Sequence, residues 1–140
     1  MPTSPVENAD ASVIRVLIAD DHAVVSNGLR MLISGEPDLE VVATVADGAV
    51  AVTLAAQERP DVVVMDFSMP TLSGAEATRQ MLLVAPGTRV LILSGRAEQS
   101  VVRAAYAAGA SGYLSKDVAP VDLLDAIRRT HAGVFSIGAA

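Results

Sequence analysis

The run Asp61-Val62-Val63-Val64-Met65, followed directly by Asp66, decides the fold class of this chain. Its apolar residues are consecutive rather than alternating, so both faces of the strand that they form must be covered. Strands of this kind occur in parallel sheets that carry helices on each side. The segment therefore predicts the centre of a three-layer α/β fold.

Four further strand candidates accompany this run, at residues 15–19 (RVLIA), 40–45 (EVVATV), 89–93 (RVLIL) and, more weakly, 112–114 (GYL). They alternate with Ala-rich stretches of helical period that end at Gly or Pro signals, and the last helix begins near Pro120 and ends before Gly133. This alternation predicts five βα units, in a doubly wound five-stranded parallel sheet with helices on both faces.

Composition limits the chain to one domain and excludes several kinds of protein. Its 140 residues are 51% apolar but only 3% aromatic, which predicts a single aliphatic core. A net charge of −6 argues against a nucleic-acid-binding surface, and the absence of cysteine excludes disulfides and thiolate sites. No apolar run approaches the ~20 residues of a membrane helix, and residues 1–12 contain no apolar signal-peptide core. We expect a cytoplasmic protein with no membrane contact and a disordered leader over residues 1–12.

Polar residues follow four of the five strands. Asp20 and Asp21 come after the first, Asp66 after the third, Ser94 after the fourth, and Lys116 near the end of the fifth. The carboxyl ends of parallel strands form one edge, where ligands bind. Three carboxylates there would repel one another without a cation, and an all-oxygen ligand set suits Mg²⁺. With a lysine and a hydroxyl for phosphate oxygens, the set predicts a phosphoryl-transfer site with Asp66 as nucleophile.

The ordered motifs resemble the receiver domain of two-component response regulators, most closely the NarL/FixJ (LuxR-type) subfamily. They are VLIADDH at 16–22, VVMDFSMP at 63–70 with Ser73-Gly74, Leu93-Ser94, and GASGYLSK at 109–116. The resemblance covers residues 13–132 and implies the (βα)5 flavodoxin-like receiver fold. It also implies that residues 133–140 begin a linker to a helix-turn-helix DNA-binding domain that this chain lacks.

Carried onto this sequence, the resemblance implies that Asp66 accepts a phosphoryl group from a sensor histidine kinase. Asp21, Asp66 and the backbone carbonyl of Ser68 would bind Mg²⁺ directly, and Asp20 through water. Lys116 would contact the phosphoryl group. The domain would catalyse only its own phosphorylation and dephosphorylation, so it is not a conventional enzyme.

The resemblance also implies a switch. Ser94 would be the switch hydroxyl and Tyr113 the aromatic that changes rotamer, which shifts the face made by the fourth helix, the fifth strand and the fifth helix. The output would be control of transcription, with homodimerisation on phosphorylation and no nucleic-acid contact by this fragment. Ser68 and Arg96 would face the attacking water and tune the phosphoryl lifetime. Asp117 stands where many receivers have proline, which leaves the geometry of its peptide bond with Lys116 open.

Several residues have a plainer interpretation. Asp20 and Asp21 are also suited to capping a helix N-terminus, and His22 is more readily a polar helix-start residue than a metal ligand. On the first helix, Val24 and Met31 lie off the apolar stripe, either as scattered surface residues or as a kinase-docking patch.

Three other functions compete with a phosphorylated receiver. A phosphohydrolase would want a second Asp where Ser68 stands, and a nucleotide-binding module would want a Gly-rich loop after the first strand. The third is a stand-alone or phosphorylation-independent receiver that acts as a protein-interaction module.

Overall fold

The computed structural model describes residues 13–95, 99–134 and 136–137. Five strands and five helices alternate along most of this length, as predicted, and the predicted strands differ from the observed ones only at their ends. The strands are β1 (Ile14–Ala19), β2 (Leu39–Val45), β3 (Val62–Asp66), β4 (Arg89–Ser94), β5 (Gly112–Ser115) and a short β6 (Ser136–Ile137). The helices are α1 (Ala23–Ser34), α2 (Gly48–Glu58), α3 (Gly74–Val84), α4 (Gln99–Ala107) and α5 (Pro120–His131).

The strands form one parallel sheet in the order β2-β1-β3-β4-β5-β6. One face packs against α1 and α5, and the opposite face packs against α2, α3 and α4. This arrangement confirms the doubly wound, three-layer fold. None of the helices in the described ranges combines the length and the apolar character that a bilayer crossing requires.

The central strand β3 is buried on both sides, as its uninterrupted apolar run predicts. Val62 and Val64 belong to the core beneath α1 and α5, whereas Val63 and Met65 belong to the core beneath the other three helices. All four side chains are at most 1% exposed. Full burial of such a side chain contributes roughly 1.5 to 3 kcal/mol, so β3 anchors both halves of the domain.

The described chain ends in a short strand that lies within the predicted start of the linker. Gly133 has a φ of 82°, in the region that favours glycine, and this residue follows the end of α5. The chain then returns to the sheet, where Ser136–Ile137 pairs in parallel with Gly112 and Tyr113 of β5. Residues 136–137 are therefore a short edge strand, a backbone pairing that local sequence does not indicate. The predicted leader at residues 1–12 lies outside the described residues, as do 135 and 138–140 of the predicted linker.

Helix α1 presents the faces that its sequence predicts. Leu29 and Ile33 are buried, and Val25 and Leu32 pack against the same core. Val24 and Met31 project away from it and are 86% and 70% exposed.

Candidate functional site

The sheet register brings the predicted polar residues to one edge. Asp66 ends β3 beside Leu93 of β4, and Ser94 ends β4 beside Ser115 of β5. Asp20 follows β1, and both it and Asp66 are 3% exposed, whereas Ser94 is 6% exposed. Lys116 follows β5 and reaches the same place, so the structure brings the predicted acidic, hydroxyl and lysine side chains together.

Lys116 lies between the two buried carboxylates. Its Nζ atom is 3.1 Å from Oδ2 of Asp20 and 3.1 Å from Oδ2 of Asp66. These are ion-pair distances without hydrogen-bond alignment, and neither Oδ2 atom accepts a hydrogen bond from any described residue. Each buried oxygen therefore keeps lone pairs that a bound cation or an electrophile can use.

The electrostatics of this group follow from burial and from shared charge. Burial raises the pKa of Asp66 above its ordinary value, and the backbone amide of Ser68 and the Lys116 ammonium offset this only in part. Burial opposes protonation of Lys116, yet the carboxylates of Asp66 and Asp20 together raise its pKa. The lysine therefore remains a cation. Additional positive charge near Asp66 would stabilise the ionised form of its carboxyl group.

The loop from β3 to α3 orients the Asp66 carboxylate. The Ser68 backbone N–H donates to Asp66 Oδ1 at 3.2 Å. The loop is closed by Gly74, whose N–H donates to the Phe67 carbonyl at 2.7 Å. A Cβ atom on Gly74 would lie only 2.7 Å from Phe67 Cα, so glycine is required for this close approach.

His22, interpreted from the sequence as a polar helix-start residue, lies among the acidic side chains of the site. It does start the helix, as expected, since it is the N-cap residue of α1. However, its side chain makes no capping hydrogen bond, and its Nδ1 atom lies 3.2 Å from Asp20 Oδ1 and 3.3 Å from Asp21 Oδ1. The interpretation of Asp20 and Asp21 as N-caps of this helix is wrong, because neither occupies that position. The sequence signal that could have found His22 is its place directly after two aspartates.

The remaining predicted residues divide by position. Ser94 lines an open cavity of about 640 Å³ together with Asp66, Ser68 and Lys116. Tyr113 is 1% exposed and lies within the core beneath α2, α3 and α4. No peptide bond in the described ranges is cis, and the bond from Lys116 to Asp117 is therefore trans. Arg96 lies outside the described residues.

Comparison with known proteins identifies the family. The model of the response regulator receiver domain matches residues 16–128. This chain belongs to that family. The match sets aside the phosphohydrolase and nucleotide-binding alternatives.

Two relatives that are similar to this chain over most of its length are transcriptional regulatory proteins. The receiver is 40% identical over 120 residues to the transcriptional regulatory protein YxjL of Bacillus subtilis, a match that covers 86% of this chain and 55% of that protein. It is 38% identical over 122 residues to DegU of Brevibacillus brevis, over 87% of this chain and 52% of that protein. The chain thus spans about half the length of the curated relatives that it matches.

Solved structures agree with the NarL/LuxR assignment. A LuxR-family two-component response regulator from Aurantimonas sp. SI85-9A1 superposes with a TM-score of 0.85 at 37% identity, over 90% of each chain. The receiver domain of NarL from Mycobacterium tuberculosis superposes with a TM-score of 0.84 at 31% identity, over 87% of this chain and 98% of that one.

Proposed function

We propose that this receiver is a phosphorylation-operated switch, in which Asp66 accepts a phosphoryl group from the phosphohistidine of a sensor histidine kinase. One observation carries the proposal. Asp66 Oδ2 is buried, accepts no hydrogen bond from a described residue, and lies 3.1 Å from the Lys116 ammonium. An ionised oxygen beside a fixed cation is placed to attack phosphorus while that cation attracts a phosphoryl oxygen.

The transfer requires one bond to form and one to break. Asp66 Oδ2 attacks phosphorus, the bond from phosphorus to the donor imidazole nitrogen breaks, and the released imidazole takes a proton from water. The product is an acyl phosphate on Asp66. Lys116 stays protonated throughout, because two carboxylates raise its pKa. The Ser68 N–H bond to Oδ1 fixes the orientation of the Asp66 carboxylate, and Asp66 lines the cavity.

The donor set fits Mg²⁺. Asp21, Asp66 and the backbone carbonyl of Ser68 would hold it directly and Asp20 through water, and the buried Oδ2 atoms of Asp20 and Asp66 that accept no hydrogen bond from a described residue support that assignment. When bound, the ion supplies positive charge that neutralises the acidic group and the phosphoryl oxygens.

Ser94 and Tyr113 are proposed to transmit the change. Ser94 lines the cavity into which the phosphoryl group would project, and its hydroxyl can donate to a new oxygen there. Tyr113 pairs with Ile92 of β4 on one side and with Ile137 of β6 on the other. A shift in β4 and β5 would therefore move the backbone of β6, which follows α5. We propose that a helix-turn-helix DNA-binding domain follows this point in the full-length protein. We also propose that the protein acts in the cytoplasm and that phosphorylation causes it to form a homodimer.

Intact-mass measurement after incubation with acetyl phosphate and Mg²⁺ tests the acceptor. Wild type should gain one phosphoryl group and Asp66→Asn none. Asp61→Asn is a matched control, because Asp61 lies next to the other end of β3, where it accepts from the Arg15 amide. A labelled Asp66→Asn variant contradicts the assignment, and an unlabelled wild type supports the phosphorylation-independent receiver instead.

Kinase docking is proposed at Val24 and Met31, because both are exposed on the helix that starts at the site. The paired change Val24→Asp and Met31→Asp should slow phosphotransfer from the cognate kinase at least about tenfold, equivalent to about 1.4 kcal/mol. Leu83→Asp is the control, since Leu83 is 80% exposed on α3. Equal slowing by both changes contradicts a docking patch on α1.

Phosphoryl lifetime is proposed to depend on Ser68 and Arg96. Ser68 lines the site cavity, where its side chain can face the water that attacks the acyl phosphate. Exchange of these two residues should change the rate of dephosphorylation, followed as loss of the phosphoryl adduct. An unchanged rate contradicts this role.

A further inference from the structure

His22 is a polar side chain of the site to which the function above assigns no role. Its Nδ1 atom lies 3.2 Å from Asp20 Oδ1, 3.3 Å from Asp21 Oδ1 and 3.6 Å from Asp66 Oδ2. The ring is 61% exposed, and its 3.2 Å contact with Asp20 Oδ1 is of hydrogen-bond length. The nitrogen faces a carboxylate of each of the three acidic residues.

These separations match those between neighbouring ligands of one metal ion. An octahedral ion with bonds of about 2.1 Å holds adjacent ligand atoms about 3.0 Å apart. The distances from Nδ1 to Asp20 and Asp21 exceed that value by about 0.2 and 0.3 Å, and the distance to Asp66 exceeds it by about 0.6 Å. One ligand atom from each of Asp20, Asp21, His22 and Asp66 lies within 4.8 Å of all the others. Small side-chain adjustments therefore suffice to place them around one ion.

A second observation is that two buried carboxylate oxygens of this group have lone pairs available for a metal ion. Asp20 Oδ2 and Asp66 Oδ2 belong to side chains that are 1% and 4% exposed, and both oxygens accept no hydrogen bond from a described residue. Lys116 Nζ also lies 3.5 Å from His22 Nδ1. A neutral ring protonated on Nε2 presents its Nδ1 lone pair to this side of the site.

We propose that His22 Nδ1 is a direct ligand for a first-row transition-metal dication at this site, alongside the carboxylates of Asp20, Asp21 and Asp66. Mg²⁺ is a hard ion that prefers oxygen ligands. Imidazole nitrogen binds first-row transition-metal dications, with an affinity that rises from Mn²⁺ through Co²⁺ to Ni²⁺. The receiver thus carries one ligand that discriminates between metals. The inference shares its carboxylates with the proposed function and so rests on that site, but it concerns which ion the site prefers.

Calorimetric titration of the apo receiver with Ni²⁺ and with Mg²⁺ tests the ligand. In His22→Ala the ratio of the Ni²⁺ to the Mg²⁺ association constant should fall at least about tenfold, because loss of a group that only supports a metal ligand already lowers the affinity by about that factor. His131→Ala is the matched control, because His131 is an exposed histidine at the end of α5 and should keep the wild-type ratio. The inference is overturned by an unchanged ratio in His22→Ala or by an equal fall in His131→Ala.

A spectroscopic measurement detects the proposed ligand directly and does not depend on the activity of the receiver. Pulsed electron paramagnetic resonance of the Mn²⁺-loaded receiver should show hyperfine coupling to a directly bound ¹⁴N in wild type and none in His22→Ala. No such coupling in wild type overturns the inference. Phosphoryl labelling with acetyl phosphate and Mg²⁺ is measured on the same wild-type sample. Absence of label counts against the proposed function, whereas the metal ratio and the ¹⁴N coupling decide the role of His22.

Discussion

Two glycine-to-alanine changes in helices of this receiver should have opposite effects. At Gly74, the added Cβ would lie 2.7 Å from Phe67 Cα and 3.0 Å from the carbonyl oxygens of Asp66 and Phe67. These are backbone atoms, so the neighbour cannot turn aside as a flexible side chain does. At Gly28, in the middle of α1, an added Cβ meets nothing within 4 Å.

The magnitudes follow from these contacts. Relief of the 2.7 Å contact moves the loop after Asp66 by several tenths of an ångström and weakens the 2.7 Å hydrogen bond from Gly74 N–H to the Phe67 carbonyl. Overpacking costs about 1 to 3 kcal/mol and a lost hydrogen bond about 1 kcal/mol, whereas the helix preference of Ala returns at most about 1 kcal/mol. Gly74→Ala should therefore lower the free energy of unfolding by about 2 kcal/mol. Gly28→Ala should raise it by about 0.5 to 1 kcal/mol.

Urea unfolding followed by circular dichroism at 222 nm measures both changes, since the chain has no tryptophan. At a slope of about 1.5 kcal/mol/M, the midpoint of Gly74→Ala should fall by more than about 1 M, and that of Gly28→Ala should rise. Phosphoryl labelling of Gly74→Ala should also slow, because the same loop orients Asp66. The reasoning is refuted if Gly74→Ala is as stable as wild type, or if Gly28→Ala loses as much stability as Gly74→Ala.

Three further predictions concern stability. Arg128 bonds Asp38 through Nε at 2.7 Å and Glu36 through Nη2 at 2.8 Å, so Arg128→Ala should cost about 1 kcal/mol after allowance for solvent screening. The Arg128 hydrogen bond lowers the pKa of Asp38, so this stabilisation is present above the ordinary carboxyl pKa and is lost as pH falls through the folded value. Thermal melts at pH 7 and below pH 4 should show the gap between wild type and variant shrinking, and a gap that widens in acid contradicts this. Thr88→Val leaves the Pro60 carbonyl without the buried hydroxyl that donates to it at 2.7 Å and should cost about 1 to 2 kcal/mol in urea titrations. The exposed control Thr53→Val should stay within about 0.5 kcal/mol, and equal losses in both refute a burial effect. Ser73→Ala removes the side chain that accepts from the Glu76 amide at the start of α3, and its midpoint should fall by an amount equivalent to about 1 kcal/mol. An unchanged midpoint shows that the cap contributes nothing.

The sequence by itself determined the layers and the main members of the site. The uninterrupted run from Val62 to Met65 requires cover on two faces, and β3 contributes alternate side chains to two separate cores. Polar residues that follow parallel strands necessarily meet at one edge, which is why the sequence alone groups Asp20, Asp66 and Lys116. Both inferences depend on local pattern and on the geometry of parallel sheets alone.

Only the tertiary structure decided the features that depend on contacts between distant segments. The direction of the His22 ring depends on carboxylates from two strands, and the need for glycine at position 74 depends on how closely α3 approaches Phe67. The pairing of Ser136–Ile137 with β5 depends on where α5 returns the chain. Hydrophobic period carries no information on side-chain direction or on the distance between packed segments, and these are set by the packed core as a whole.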